Sequence, residues 1–289
     1  MTILKASSIT ASAATAASGI RSLIVHVEPT RQASPRLQTA VDLARKLDAT
    51  LIGVGVEMLQ SYGDSYGMLA GEWVVELQNL LVENLKRAEA TFRANTADLA
   101  TEWIAVETFP AKAISRLSRS ADLIVAGGAP LGGEGNYRAA DTAELAIISG
   151  RPVLVAPPQG GNLVGDAVVV AWNDTRESRR ALADSLPFLK RAEQVTVIEV
   201  CGKDELTGAG GRTSDVARHL QRHGIRALGK AVHAPPSRVA TELNIAAQAI
   251  GADLIVAGAY GHARLGEWMF GGATFDLLRE PERFVLLSH

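Results

Sequence analysis

The sequence predicts an α/β protein built from two tandem, doubly wound domains, each with a five-stranded parallel sheet. Two observations support this fold class. The heptapeptide Ala121–Gly127 recurs letter for letter as Ala252–Gly258, and the apolar pattern of 34–56 recurs in 178–200. Collinear repeats of this length indicate duplication of one domain. Within each copy, short β-branched runs alternate with helical periodicity, which is typical of a parallel sheet covered by helices.

The β-branched and apolar runs predict five strands in each copy. In the first copy these are 23–27, 50–56, 103–107, 122–126 and 152–156, and in the second 167–172, 195–200, 228–233, 253–257 and 283–287. The intervening segments predict helices at 36–47, 74–96, 111–118 and 142–149, then at 176–191, 213–223, 237–250 and 273–278. The helix from Val74 is the clearest, because Leu77, Leu81, Leu85 and Phe92 recur along one stripe.

Three segments are expected to lie outside this repeat. Residues 1–20 are rich in Ala, Ser and Thr and lack the apolar core of a secretory signal, so we expect a flexible extension. The polar insert 59–71 is expected to form a surface loop. Two prolines and two glycines in 157–162 predict a linker, which places the domains at 21–158 and 163–289.

Composition restricts the partners of the chain. A formal net charge of −2 provides no basic excess for nucleic acid. No apolar run approaches the length that spans a bilayer, so no membrane partner is expected. The single Cys201 excludes an internal disulfide and fits a reducing compartment. We therefore expect a cytoplasmic protein.

The second copy carries a glycine-spaced loop after its fourth strand. Gly258, Gly261 and Gly271 follow the spacing G-x2-G-x9-G, and a predicted helix opens near Gly272. Glycines let backbone N–H groups converge on a phosphate, and a helix N-terminus adds further donors. Ligands of doubly wound sheets bind where the strand order reverses. The loop at 172–175, after the first strand, is expected to line the same crevice.

This loop, the strand before it and the doubled layout resemble the universal stress protein family in its tandem form. The resemblance implies a Rossmann-like fold similar to adenine nucleotide alpha hydrolases, a cytoplasmic role in stress response, and ATP binding with magnesium. It implies phosphates on the loop and adenosine near the end of the first strand. It also implies that the last strands of the two copies meet edge to edge as a pseudo-twofold pair, and a homodimer of chains is left open. The implied binding residues in this sequence are Ala171, Trp172, Asn173, Val232, Gly258, Gly261, His262, Arg264, Gly271, Gly272, Ala273 and Thr274.

Two of these residues depart from the family pattern. Gly272 stands where the family has Ser or Thr, so one hydroxyl donor to phosphate is missing, although Thr274 could supply a hydroxyl. Asn173 stands where nucleotide-binding members usually have Asp. An amide can still bond to adenine or ribose but carries no charge. Weak nucleotide binding is therefore predicted.

The first copy departs much further. Pro130, Ala140 and Asp141 replace Gly261, Gly271 and Gly272. A carboxylate at the start of a helix caps the helix and repels phosphate. We therefore predict that the first copy has no phosphate site and serves structure and pairing.

Alternative interpretations stay open for several residues. The loop glycines also suit a tight strand-to-helix connection, Trp172 suits a core position at a strand end, and His262 and Arg264 suit a solvated loop. His219 and His223 share one helix face, yet no third metal ligand is evident, so no metal site is predicted. No catalytic constellation is recognised, and the ATP-hydrolysing enzyme and the ligand-free scaffold remain as alternatives to the binding protein.

Overall fold

The computed structural model describes residues 19–29, 34–58, 71–127, 140–259, 276–278 and 281–289. The first eighteen residues and most of the glycine loop of the second copy are outside these ranges. Statements below concern the described residues. None of the helices in these ranges combines the length and the apolar character that a membrane span requires.

The described ranges contain ten strands, each starting and ending within two residues of its predicted position. In the first half they are β1 (Ser22–Val27), β2 (Thr50–Glu57), β3 (Thr101–Glu107), β4 (Leu123–Gly127) and β5 (Val153–Ala156). In the second half they are β6 (Ala167–Ala171), β7 (Gln194–Cys201), β8 (Ala227–His233), β9 (Leu254–Gly258) and β10 (Phe284–Ser288).

The helices alternate with these strands as the repeat predicts. They are α1 (Pro35–Leu47), α2 (Gly71–Asn95), α3 (Pro110–Leu117), α4 (Thr142–Ile148), α5 (Arg176–Leu189), α6 (Leu206–Arg222) and α7 (Val239–Ile250). Residues 276–278 are also helical, and the rest of the helix predicted at 273–278 lies outside the described ranges.

The strands form one sheet in the order β3-β2-β1-β4-β5-β10-β9-β6-β7-β8. Every pair within a half is parallel, whereas β5 and β10 pair antiparallel, with Val155 opposite Val285. The predicted edge-to-edge meeting of the last strands is confirmed. Chain order reverses between β1 and β4 and between β6 and β9, so the predicted switch points of a doubly wound sheet are also confirmed.

Helices cover both faces of the sheet. α1, α2, α5 and α6 pack on one face, where Leu23 and Val168 point, and α3, α4 and α7 pack on the other, where Ile24 and Val169 point. Strands buried on both faces need apolar residues at consecutive positions, which explains the continuous β-branched runs.

The repeated aspartate anchors the first strand of each half. The carboxylate of Asp122 accepts hydrogen bonds from the backbone N–H groups of Arg21 (2.8 Å) and Ser22 (3.0 Å). The carboxylate of Asp253 accepts from the N–H groups of Val164 (2.6 Å) and Gly165 (3.0 Å). In both halves, the aspartate of the repeated heptapeptide therefore holds the backbone that leads into the first strand.

Three helix starts differ from the prediction by two residues or more, and one of them is α2, which begins at Gly71 rather than at residue 74. α6 begins at Leu206, seven positions before the predicted start at Thr213, and so contains Gly208, Gly210 and Gly211. Packing overrides the low helix propensity of glycine here. A Cβ on Gly229 of β8 would lie 2.5 Å from the backbone of Thr213, so α6 contacts the sheet closely. α7 begins at Val239 because a 3-10 turn takes up Pro236–Arg238.

Candidate functional site

The crevice of the second half opens where β6 and β9 lie side by side. Val170 pairs with Val256, so Ala171 and Gly258 end neighbouring strands at the same edge of the sheet. The backbone N–H of Ala259 donates to the carbonyl of Ser288 (2.8 Å), and the His289 side chain donates to the carbonyl of Ala259 (2.9 Å). Ala259, the residue after Gly258, is thus held by the end of the chain at β10.

Gly258 allows α5 to contact the end of β9. A Cβ at this position would lie 2.6 Å from the carbonyl carbon of Glu177 and 2.6 Å from the nitrogen of Ser178. These are backbone atoms of a helix, so they cannot move aside for a Cβ as the end of a flexible side chain could. Gly258 is therefore required by helix packing, whether or not a ligand binds nearby.

The start of α5 carries a reciprocal cap formed by two of its side chains. The Thr175 hydroxyl accepts from the N–H of Ser178 (3.3 Å), and the Ser178 hydroxyl accepts from the N–H of Thr175 (3.0 Å). This reciprocal arrangement satisfies backbone donors that a phosphate would otherwise attract.

Asn173 lies in this crevice with one side of its amide already engaged. The Thr175 hydroxyl donates to the amide oxygen of Asn173 (2.9 Å), and the residue is exposed. Since the oxygen accepts from Thr175, the exposed NH2 group is the donor that Asn173 offers on this side of the crevice. It can therefore donate to an acceptor on a base or a ribose.

Glu177 adds a carboxylate that the sequence analysis did not single out. Only 11% of its side chain is exposed, and it pairs with the Nε of Arg176 at 3.1 Å. Burial raises the pKa of Glu177, but its own backbone N–H and Arg176 leave the pKa below its usual value. The group is therefore ionised at neutral pH. In the sequence, Glu177 could have been noticed only as an acidic residue in the first turn of a predicted helix.

The predicted base contacts lie on different faces of the sheet. Ala171 and Val232 pack on the α7 face, and Val232 lies two strands away from Ala171 on edge strand β8. Trp172 packs on the opposite face, where it lines a groove of about 350 Å³ between α5 and α6 together with Leu182 and Val216. Ala171, Asn173 and Gly258 are thus close at the strand ends, while the indole of Trp172 faces the helices.

Seven predicted binding residues lie outside the described residues. They are Gly261, His262, Arg264, Gly271, Gly272, Ala273 and Thr274. Their roles stay predictions.

The first-half crevice contains bulkier and charged groups. By strand register, His26 takes the position of Ala171, and only 3% of it is exposed. Among the residues that the structure describes, neither ring nitrogen of His26 has a hydrogen-bond partner. Burial and the nearby Arg36 lower the pKa of His26 to about 3, so the ring is neutral at physiological pH.

Other first-half groups bond to one another. Arg36 pairs with Glu28 at 2.9 Å and donates to the carbonyl of His26 (3.1 Å). Asp141 caps α4 as predicted, accepting from the N–H groups of Ala143 (2.8 Å) and Glu144 (3.1 Å). The donors at the start of α4 are therefore occupied by a carboxylate.

The histidine pair at the C-terminal end of α6 shows no metal-binding arrangement. His219 and His223 contact edge to face, with ring centroids 4.9 Å apart. Within the described ranges, no group of three or more His, Cys, Asp or Glu side chains is placed to hold a metal ion.

Comparison with known proteins gives structural relatives only. No protein-family model and no curated protein matches the sequence. Among solved structures, a universal stress protein from Archaeoglobus fulgidus DSM 4304 matches 92% of this chain and 95% of its own, with a TM-score of 0.68 and 16% identity.

Two structures from Pseudomonas aeruginosa also match along most of both chains. A protein of unknown function from strain PAO1 matches with a TM-score of 0.58 and 17% identity, covering 93% of this chain and 92% of its own. A protein provisionally identified as a universal stress protein from strain UCBPP-PA14 matches with a TM-score of 0.58 and 18% identity, covering 93% of each chain. This chain therefore has the fold of the universal stress proteins, with two such units in tandem.

Proposed function

We propose that this chain is a cytoplasmic universal stress protein that acts by binding, with a weak adenine nucleotide site in its C-terminal half. The observation that carries the proposal is the junction of β6 and β9. There Ala171, Asn173 and Gly258 meet at a switch point, and the G-x2-G-x9-G loop begins at Gly258.

The proposed ligand is ATP with magnesium, or a related adenine nucleotide. Its phosphates contact the loop at Gly261, Gly271, Gly272 and Thr274, and its base lies near Ala171, Asn173 and Val232. The exposed NH2 group of Asn173 supports a contact to the base or ribose. Trp172 acts from the opposite face, as support for the strand end rather than as a wall of the pocket.

The proposed role of the N-terminal half is structural. His26 fills the position that Ala171 leaves open, and Asp141 occupies the start of α4. Both features oppose a nucleotide phosphate or base at that crevice.

A calorimetric titration tests this proposal. Wild type is titrated with ATP, ADP and AMP in the presence of magnesium, and binding is expected with a dissociation constant in the range of tens of micromolar to millimolar. The control is Gly261→Val, in which a branched side chain is expected to block the approach of the phosphate. Absence of heat at millimolar concentration of every nucleotide would instead favour a scaffold that uses no small ligand.

A hydrolysing enzyme is separated from a binding protein by turnover. Phosphate release from ATP is followed under the same conditions, and no release above a slow background is expected. Turnover that Gly261→Val abolishes would replace the binding proposal with an enzymatic one.

A further inference from the structure

A groove separates α5 from α6 on the face of the sheet where Trp172 packs. Its volume is about 350 Å³, which lies within the range of about 300 to 1,000 Å³ that small-molecule pockets occupy. Trp172, at the end of β6, lines it from the sheet side, and the other lining residues belong to α5 and α6. All of them lie within the described ranges.

Two glycines hold the walls of this groove apart. α5 lies against Gly258 of β9, where a Cβ would be 2.6 Å from the helix backbone, and α6 lies against Gly229 of β8, where a Cβ would be 2.5 Å from it. In the sheet, β6 and β7 lie between these two strands. Each helix is thus drawn towards an outer strand, and α5 and α6 have hardly any direct contact with each other.

The first half fills the corresponding space with aromatic rings. A Cβ on Gly53 would lie 2.7 Å from the ring of Phe92, and a Cβ on Gly55 would lie 2.7 Å from the ring of Trp103. By strand register, Gly229 takes the position of Trp103 in the second half. The second half therefore leaves open a space that the first half fills with an indole.

Trp172 brings an unused hydrogen-bond donor to the groove. Only 7% of the residue is exposed, and within the described part of the chain its Nε1–H has no acceptor. A buried donor without an acceptor costs stability, so such groups are rare unless a bound molecule satisfies them. The indole also offers a flat apolar surface on which a planar molecule can stack. Leu182 and Val216, both buried, extend this apolar surface.

The charged residues that line the groove already have partners. Arg179 pairs with Asp174 at 2.6 Å, and Asp215 pairs with Arg218 at 2.9 Å. All four side chains are exposed, so water screens their charges as well. Since neither lining charge is left unpaired, the groove suits a neutral ligand better than an ion.

We propose that this groove binds a small, neutral, planar aromatic molecule whose acceptor oxygen bonds to the Nε1–H of Trp172. The site lies on the face of the sheet opposite to Ala171 and Val232. It is therefore separate from the proposed nucleotide site and does not depend on it.

The indole N–H signals of the protein test this proposal directly. A proton–nitrogen correlation spectrum of the full chain is followed during titration with coumarin, which carries a carbonyl, and with naphthalene, which has a similar size and no acceptor. The signal of Trp172 is identified by its absence from Trp172→Phe. Coumarin is expected to bind with a dissociation constant of tens of micromolar to millimolar and to move this signal downfield. Naphthalene is expected to bind about three- to tenfold more weakly, because it leaves the donor unpaired.

Charge is tested with a third probe. Coumarin-3-carboxylate has the same ring system but is an anion at neutral pH. It is expected to bind more weakly than coumarin, because the groove offers its charge no free cation.

Three variants locate the probe. Ala183→Phe places a ring at an exposed position on the α5 wall and should weaken coumarin binding about tenfold or more, because the ring fills the groove. Ala249→Phe is the matched control, since Ala249 is an exposed alanine of α7 on the opposite face, and it should bind coumarin as wild type does. Trp172→Phe keeps an aromatic ring without the donor, so coumarin should bind to it about as weakly as naphthalene binds to wild type. Melting temperatures verify that each variant is folded.

Other outcomes overturn the proposal. If coumarin does not bind to wild type at millimolar concentration, or binds unchanged to Ala183→Phe, the groove is not a ligand site. Equal affinities for coumarin and naphthalene, with no movement of the Trp172 signal, exclude the hydrogen bond that defines the ligand class. Displacement of coumarin by saturating ATP would place the probe in the nucleotide crevice instead.

Discussion

Val155 of β5 pairs with Val285 of β10 in the only antiparallel register among the described strands, and both side chains are buried. This pair sits at the centre of a ten-stranded sheet whose every other pairing is parallel. Each half would expose an apolar edge strand without it. The junction therefore protects the two strands that would otherwise be free to associate with other chains.

The junction is expected to contribute strongly to stability. Leu286 is fully buried and pairs with Leu154 across it, so Leu286→Ala should lower the free energy of unfolding by about 2 to 5 kcal/mol. Urea denaturation measures the change. Val164→Ala serves as the control, because Val164 is 51% exposed and the expected change is below about 0.5 kcal/mol. Equal effects of the two substitutions would show that the junction contributes little.

The duplicated aspartates are expected to have equivalent effects. Asp122→Ala and Asp253→Ala each leave two backbone N–H groups without an acceptor, which should cost about 1 to 3 kcal/mol. Hydrogen exchange at Ser22 should accelerate in the first variant, and exchange at Gly165 in the second. Exchange that stays at the wild-type rate in either variant would argue against this anchor.

Gly258 and Gly127 provide a matched pair of glycines. Gly258→Ala places a Cβ 2.6 Å from backbone atoms and should destabilise the protein by about 1 to 3 kcal/mol. Gly127→Ala meets only the flexible end of Arg36 at 3.4 Å and should be tolerated. Thermal melts of both variants test the difference. A larger loss for Gly127→Ala would contradict the close packing of α5 on β9.

The neutral ring of His26 predicts a loss of stability in acid. The pKa of His26 is about 3 in the folded chain and near 6.5 in the unfolded chain, so only the unfolded chain binds the proton between these values. Stability should therefore fall as pH falls from 6.5 towards 3, by at most about 1.4 kcal/mol per pH unit from this group.

His26→Ala isolates that contribution, since Ala171 is the natural residue at the equivalent position. The variant should be less stable at pH 7 but should lose less further stability between pH 6.5 and 4 than wild type. Urea midpoints measured across this range give the two slopes. Parallel slopes would show that His26 does not carry the acid sensitivity.

Restoring a hydroxyl to the glycine loop is expected to strengthen nucleotide binding. Gly272→Ser adds a donor to phosphate worth about 1.5 to 3 kcal/mol, or roughly one to two powers of ten in affinity. Calorimetry with ATP measures the gain, and Gly261→Val should remove binding in the same background. If the Gly272→Ser variant also fails to bind ATP, the glycine loop has a structural role only.

The sheet could be predicted from the sequence almost completely, because β-branched runs and the repeated heptapeptide mark the strands. The start of α6 could not, because Gly208, Gly210 and Gly211 oppose a helix locally and only packing against β8 overrides them. At the site, Asn173 and Gly258 could be placed at the ends of the first and fourth strands of the second half, because the repeat and the family resemblance mark those strand ends. Glu177 and His26 could not, since their importance arises from burial and from neighbours distant in the sequence.

The covalent link between the halves changes what the β5 and β10 junction requires. Two separate chains would form such a junction only at sufficient protein concentration, and two identical chains would have to carry the same residues on both sides. One chain holds its own partner strand at a high effective concentration whatever the cellular level of the protein. Selection can therefore act on each half alone, which permits His26 in one crevice and Ala171 in the other without loss of the pairing that joins them.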